Sequence, residues 1–313
     1  YRGQGRDQTR SGWGGGNAID ELGIYDVPAI VEKVNEVTGK KPIWCGHSMG
    51  STMAYIYLQG AKFEAPNPDC RVLSDPALVA QRNNGTGKQA LKGLIDLDGP
   101  VVPGGSVPGL LQPLLWLATY FPIYFDLRPL TGTLGGVAAS PVMALEQLLW
   151  WLYRSLGTPD LGLVNLLRLI NPDNLDGSVS QYFFQFGLDG LSTRVLAQYA
   201  DAIVNRKLRE DYKNGFLGFL RLFPPAPAAN DGFYYYSDNL AKVSLPAMVV
   251  ADSTEDITSP ADIQGFYNRK TRSAQDRFYL IPNTAHVDLV VGLNAPTELY
   301  PKIGAWLEAM GGP

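Results

Sequence analysis

The sequence predicts an α/β fold, a mostly parallel sheet flanked by helices with a helical cap inserted between sheet strands. Three observations predict it. Short apolar runs alternate with helix-length stretches near both ends of the chain, the pattern of parallel strands covered on both faces. That alternation breaks between about residues 103 and 227 and returns after Tyr236. Finally, Gly46-His47-Ser48-Met49-Gly50 follows one apolar run and precedes a helix-compatible stretch, so a strand reverses into a helix within a few residues. At 313 residues and 45% hydrophobic content the chain can bury a sizeable core. The expected division is a first core part over 1–102, a cap over 103–227 and a second core part over 228–313.

In chain order, Asp20 to Thr38 reads as a helix lying on the sheet, with Gly39 as its stop. Ile43-Trp44-Cys45 is a short strand, and Ser51 to Gln59 is the helix after the turn. Pro66 to Gly87 is a polar, Pro/Asn/Gly-containing excursion, and Leu91 to Leu97 is the next strand. After the cap come a buried strand over 245–251, a helix near Pro260 to Asn268, a strand Arg277 to Ile281 and a closing helix from Ala295 to Met310.

Ser48 stands at the centre of the reversal. A turn this tight forces it into a strained backbone and lifts its hydroxyl clear, and the flanking glycines fit where side chains would collide. A neutral serine needs an imidazole-type base to act as a nucleophile. The chain has two histidines, His47 and His286. His47 lies inside the turn, displaced from the face on which the hydroxyl emerges, which leaves His286 as the candidate base.

The base in turn needs a carboxylate to fix its tautomer. The loop Asp252-Ser253-Thr254-Glu255-Asp256, after the strand at 245–251, is crowded with them. Asp256 is favoured, because Asp252 sits so near the strand end that it should face into the sheet edge. Asp98, at the end of Leu94-Ile95-Asp96-Leu97-Asp98, is the other geometric candidate.

These residues carry a resemblance. Glu21-Leu22-Gly23-Ile24-Tyr25-Asp26-Val27-Pro28-Ala29 with the Gly46 to Gly50 turn, and Ala285-His286-Val287-Asp288-Leu289-Val290-Val291-Gly292-Leu293-Asn294-Ala295-Pro296 with Leu299-Tyr300, resemble the α/β-hydrolase superfamily. Within it they are similar to the branch of the gastric and lysosomal acid lipases and their microbial relatives. The resemblance covers roughly the first sixty and last seventy residues. It implies Ser48 as nucleophile, Asp256 as acid and His286 as base, in the chain order this fold uses. Met49 stands where the family commonly has glutamine; only its backbone N–H is required, for the oxyanion hole. The resemblance also implies that Tyr1-Arg2-Gly3-Gln4-Gly5 follows the fold's fourth strand, so that the earlier strands and the second oxyanion donor lie outside this sequence. Trp13-Gly14-Gly15-Gly16 is too close to the turn to replace that donor.

The expected activity is that of a serine carboxylic-ester hydrolase, lipase- or esterase-like, acting through an acyl-enzyme. Acyl transfer and thioester hydrolysis are the enzymatic alternatives, and an incompetent fragment or binding protein on the same scaffold is the other. Leucine and aromatic runs in the cap, Leu110 to Phe121 and Leu145 to Tyr153 among them, suit a lipophilic ester substrate and contact with a lipid interface. Pro108, Pro113 and Pro122 punctuate the longest run, so it does not make the roughly twenty apolar residues of a membrane span. No cofactor is called for, and no Cys/His cluster suggests a metal. A net charge of −4 gives no footprint for nucleic acid. Cys45 is expected to be a buried thiol, with a bridge to Cys70 as the alternative. A secreted or cell-envelope location is slightly favoured.

Overall fold

The two alternating halves of the chain meet in one parallel sheet. The computed structural model describes residues 17–64, 71–102, 124–125, scattered residues between 141 and 155, 169–183, 190–215, 218–221, 223–254 and 258–311. Its strands are β1 (Ile43–His47), β2 (Ala61–Phe63), β3 (Val72–Ser74), β4 (Gly93–Leu97), β5 (Tyr124–Phe125), β6 (Leu191–Ser192), β7 (Ala247–Ala251) and β8 (Arg277–Leu280). Four of them form the central sheet in the order β1-β4-β7-β8, every neighbouring pair parallel. β2 and β3 form a separate antiparallel pair, as do β5 and β6. The fold class is therefore α/β with a parallel sheet between helices, as the alternation predicts.

Side chains on the central strands alternate between two cores, as the two-residue period of a strand requires. Leu94, Ala247, Val249 and Ala251 face a core built with the helical segment 19–38, the helix Met49–Leu58 and the helix Pro260–Arg269. Ile95, Leu97, Met248 and Val250 face the other way, onto Leu289, Leu299 and Trp306. Strands buried on both faces need nearly continuous apolar runs, which is why β4 and β7 read so clearly.

Several elements differ from their sequence reading for identifiable reasons. The first helical segment contains a π-helical turn at Leu22–Asp26, where Gly23 packs against Ile56; a Cβ on Gly23 would lie 2.5 Å from Ile56 Cγ2. Within the polar excursion the chain forms β3 and then the helix Pro76–Asn84. Asp75 caps that helix by accepting from the Ala77 amide at 2.9 Å, with Pro76 in the first position. Asp75-Pro76 is a start signal that the surrounding Pro, Asn and Gly obscure. The closing helix is two pieces, Ala295–Glu298 and Tyr300–Ala309, because Pro301 lacks the N–H and its ring crowds the preceding turn.

Cys45 is exposed rather than buried, because β1 has one strand neighbour among the described residues. It is a free thiol; Cys70 lies outside the described residues. Much of the expected cap, including Leu110 to Phe121, also lies outside them. Among the described residues no helix is long and apolar enough to cross a membrane.

The described end of the 103–227 segment is fastened to the core by buried charge. Asp20 accepts from Gln198 at 2.9 Å, the Tyr236 hydroxyl at 2.8 Å, the Asp211 amide at 2.7 Å and Asn214 at 2.9 Å. Arg194 pairs with Asp211 at 2.5 Å and lies 3.7 Å from Glu21. Arg209 pairs with Asp201 at 2.8 Å. Burial pushes Glu21 up to about 8, against the pull of Arg194, and pushes Glu210 up to about 7, helped by the nearby charge of Asp20. Burial also raises Asp20.

A carboxyl group whose pKa is higher folded than unfolded favours folding in its protonated form, and that contribution fades as pH rises through the folded value. The window for Glu21 runs from its ordinary 4.5 to about 8. Thermal denaturation should give a midpoint that falls between mildly acidic and mildly alkaline pH, and Glu21→Gln should flatten that slope.

Candidate active site

Ser48 sits where β1 ends and the helix Met49–Leu58 begins, with φ 56° and ψ −124°. An L-residue reaches positive φ at a steric cost and persists there only when its surroundings hold it. They do so with hydrogen bonds. The Ser48 amide donates to the Leu97 carbonyl at 3.0 Å, and the Ser48 carbonyl accepts from Ser51 at 2.9 Å and Thr52 at 3.3 Å. The Ser51 hydroxyl donates to the Gly46 carbonyl at 2.7 Å, and the Trp44 indole donates to the Gly50 carbonyl at 2.9 Å. The two glycines differ. A Cβ on Gly46 would fall 2.5 Å from the Gly50 and Ser51 backbone, whereas one on Gly50 would meet nothing within 4 Å. Met49 is the first helical residue, so its amide belongs to the first turn, whose N–H groups have no intrahelical acceptor.

One strand over, Asp98 also has positive φ, 57°. The register pairs His47 with Leu97, so Ser48 and Asp98 leave the sheet side by side. Gly99 allows this closeness, since a Cβ there would lie 2.1 Å from Ser51 Cβ. The loop after β4 is then pinned. Asp96 accepts from the Gly99 amide at 2.9 Å and from the Tyr55 hydroxyl, and Asp262 accepts from the amides of Val101 at 3.1 Å and Val102 at 2.9 Å. Burial pushes Asp96 up to about 7.

His286 arrives on the loop after β8. Its Nδ1 lies 2.5 Å from Asp98 Oδ2, with both side chains buried. Asp98 Oδ2 also accepts from the Thr258 hydroxyl at 2.7 Å, and Oδ1 accepts from the Asp252 amide at 3.3 Å. Burial alone would raise Asp98, but the hydrogen bond and charge of His286, with the Thr258 hydroxyl, hold it below the ordinary carboxylate value. The loop has further anchors. The Val287 amide donates to the Leu169 carbonyl at 2.9 Å, and buried Asp288 accepts from the Asn171 amide and Asn174 Nδ2, each at 2.6 Å.

His47 Nε2 lies 2.8 Å from the His286 carbonyl, and the two rings are 4.7 Å apart. His286 is thus fastened directly to the residue before Ser48. Ser48 and Asp98 follow neighbouring strands at one end of the sheet, and His286 meets Asp98 through its ring and His47 through its carbonyl. Asp256, the carboxylate favoured from the sequence, lies outside the described residues; the acid paired with His286 is Asp98, the alternative at the end of the neighbouring strand. Asp252 is buried beside this pair instead of turning into the sheet edge. Asp98, Asp252 and His286 place potential ligand atoms within 4.8 Å of one another and form the one such set of three among the described residues. A cavity of about 730 Å³ opens elsewhere, and none of Ser48, Asp98 and His286 lines it.

The chemistry open to this arrangement is nucleophilic attack by a hydroxyl, with a buried imidazole as proton acceptor and a carboxylate behind it. Known proteins agree with the fold. No family model matches the chain. Lipase member K of Homo sapiens is 23% identical over 298 residues, 91% of this chain and 62% of the relative. Lipase member M of Homo sapiens is 22% identical over 289 residues, 91% of this chain and 59% of the relative. The chain therefore spans about three fifths of the length of these relatives. Among solved structures, the monoacylglycerol lipase of Paleococcus ferrophilus superposes with a TM-score of 0.52 at 11% identity, covering 99% of this chain and 81% of that one.

Removing the hydroxyl that supports the Asp98 anion should weaken the fold more where that anion exists. Thr258→Val should cost about 1–3 kcal/mol in denaturant unfolding near neutral pH. Because the folded pKa of Asp98 is depressed, the loss should shrink as pH falls and the carboxylate protonates.

Proposed function

We infer that this chain, an α/β-hydrolase related to the acid lipases, is a serine carboxylic-ester hydrolase acting on lipophilic acyl esters. The observation that carries the reading is the positive-φ serine at the strand–helix turn, fastened through His47 to a buried His286–Asp98 pair. In this mechanism the Ser48 hydroxyl attacks the ester carbonyl while His286 takes its proton. The Met49 amide stabilises the oxyanion, supplying one of its donors. His286 then gives the proton to the departing alcohol, and water attacks the acyl-enzyme with His286 again as base, which regenerates the serine. Asp98 keeps the Nδ1 proton of His286 in place and offsets the charge of the imidazolium.

The relatives' names as lipases support an ester substrate, and the leucine and aromatic runs of the 103–227 segment support a lipophilic one. That segment is the cap over Ser48 in this reading. Transfer of the acyl group to another alcohol would use the same residues and differ only in what meets the acyl-enzyme.

Fluorophosphonate should label Ser48, and Ser48→Ala should abolish the labelling. Hydrolysis of p-nitrophenyl esters of increasing chain length should favour the longer acyl groups, and an acetate-only enzyme would remove the lipophilic-substrate reading. Asp98→Asn should lower kcat by about 10²–10⁴-fold. If Asp256→Asn carries that loss and Asp98→Asn does not, the acid belongs to the loop after β7. If neither turnover nor labelling occurs in this chain or in a form extended at its N-terminus, the esterase reading fails.

A further inference from the structure

His47 holds a place in the site that its chemistry does not explain as a base. Its Nε2 faces the carbonyl oxygen of His286 at 2.8 Å. A carbonyl can only accept, so that nitrogen carries the proton and the bond runs from His47 to the His286 main chain. A neutral imidazole protonated on Nε2 can take a second proton only on Nδ1, and gains charge by doing so. The groups facing it make that charge unwelcome: the His286 ring stands 4.7 Å away and is the one that becomes positive during catalysis. Burial, and then the charge of His286, bring the pKa of His47 down to about 4, against the opposing effects of the His286 carbonyl and Asp98. The other carboxylate close to the pair, Asp252, has an oxygen within 4.8 Å of a His286 ring nitrogen and of Asp98.

We propose that His47 is a positioning residue: a permanently neutral donor that ties the loop carrying the base to the turn carrying the nucleophile. The proposal deepens the serine-hydrolase reading and rests on it for its kinetic consequence. The mechanical argument is local. Asp98 fixes the far edge of the His286 ring, and anchors on Thr284 and Val287 fix the loop on either side. Of the peptide that follows the His286 Cα, His47 holds the carbonyl and Leu169 holds the N–H. The orientation of that peptide sets where the ring can swing. Because His47 and Ser48 are adjacent in the chain, any shift of the turn carries the base with it, and the reacting atoms keep their relation while the rest of the site breathes. A misplacement of about 1 Å between such groups can cost on the order of a hundredfold in rate, so a contact of this kind acts on turnover rather than on substrate affinity.

Two variants separate the hydrogen bond from the bulk of the ring. His47→Phe keeps a planar ring without an N–H, and His47→Gln keeps a side-chain N–H at about the same reach. With a p-nitrophenyl ester, His47→Phe should lower kcat by about 10- to 100-fold with KM within about twofold, and His47→Gln should recover most of the loss. Equal kcat in the unmodified chain and His47→Phe would overturn the proposal, as would a loss that His47→Gln does not relieve. Because the chain has two histidines, each His47 variant assigns the imidazole nitrogen spectrum of the other ring. In the unmodified chain His47 should stay neutral, with its proton on Nε2, from alkaline pH down to about 5. A His47 ring protonated on Nδ1 alone, or titrating near the ordinary histidine value, would overturn the proposal whether or not any ester is hydrolysed. Should the unmodified chain neither turn over ester nor label at Ser48, the hydrolase reading falls. Amide exchange over 285–289 then decides the hold: faster exchange in His47→Phe than in His47→Gln supports it, and equal exchange sinks it.

Discussion

Parallel register is the constraint from which the site follows. β1, β4 and β7 run the same way and pair level with one another, His47 against Leu97 and Leu97 against Val250. Their C-terminal ends therefore reach the same edge of the sheet, and whatever follows each strand emerges beside whatever follows its neighbour. Ser48 and Asp98 are the first residues past β1 and β4, and Asp252 is the first past β7. The structure then has only to turn the chain sharply at each exit. It does so with positive φ at Ser48 and at Asp98, a conformation that lateral hydrogen bonds to Leu97 and Val250 keep from relaxing. An antiparallel arrangement would have sent alternate exits to opposite ends and scattered the same residues.

Around this edge the chain buries charge unevenly. Asp98 is desolvated yet ionised, because a histidine and a hydroxyl stand against it. Asp96, two residues earlier, has a tyrosine hydroxyl and a backbone amide against it and no cation to oppose its burial, and it is pushed towards its neutral form. The same carboxyl chemistry is thus tuned in opposite directions two residues apart by what stands against each side chain. The network at Asp20 and Glu21 shows a third outcome, in which more acids than bases are gathered in the interior and the surplus favours protonation. A buried charge left without its partner costs several kcal/mol, so these clusters make the core and the Thr193 to Asn214 stretch hard to separate.

What the sequence reveals and what it conceals divide along physical lines. The helix at 19–38, the strand–turn–helix at Ser48, and the strands at 93–97, 247–251 and 277–280 are legible because each depends on local pattern, whether periodicity, a glycine stop or a run of β-branched residues. The histidine loop is legible through rarity, since two histidines leave little choice. The pairing of His286 with Asp98 is not legible, because Asp98 and Asp256 both follow strands that end at the same edge and only packing shows that Asp98 meets His286; Asp256 lies outside the described residues. Nor is the contribution of His47. Its side chain meets the His286 carbonyl, a contact spanning 239 residues of sequence that no local pattern announces. The exposure of Cys45 is hidden for a similar reason: burial of a strand residue depends on how many neighbours the strand has, which no residue pattern states.

The unequal surroundings of Gly46 and Gly50 bear on how such proteins are recognised at all. Strand and helix press together at the first glycine, and a methyl group has no room there; at the second the space is open. A pattern search demanding glycine at both positions therefore treats a steric necessity and a tolerated habit as one rule. Alanine or serine in the second position would leave the turn intact, so genomes should hold members of this architecture that glycine-keyed scans pass over.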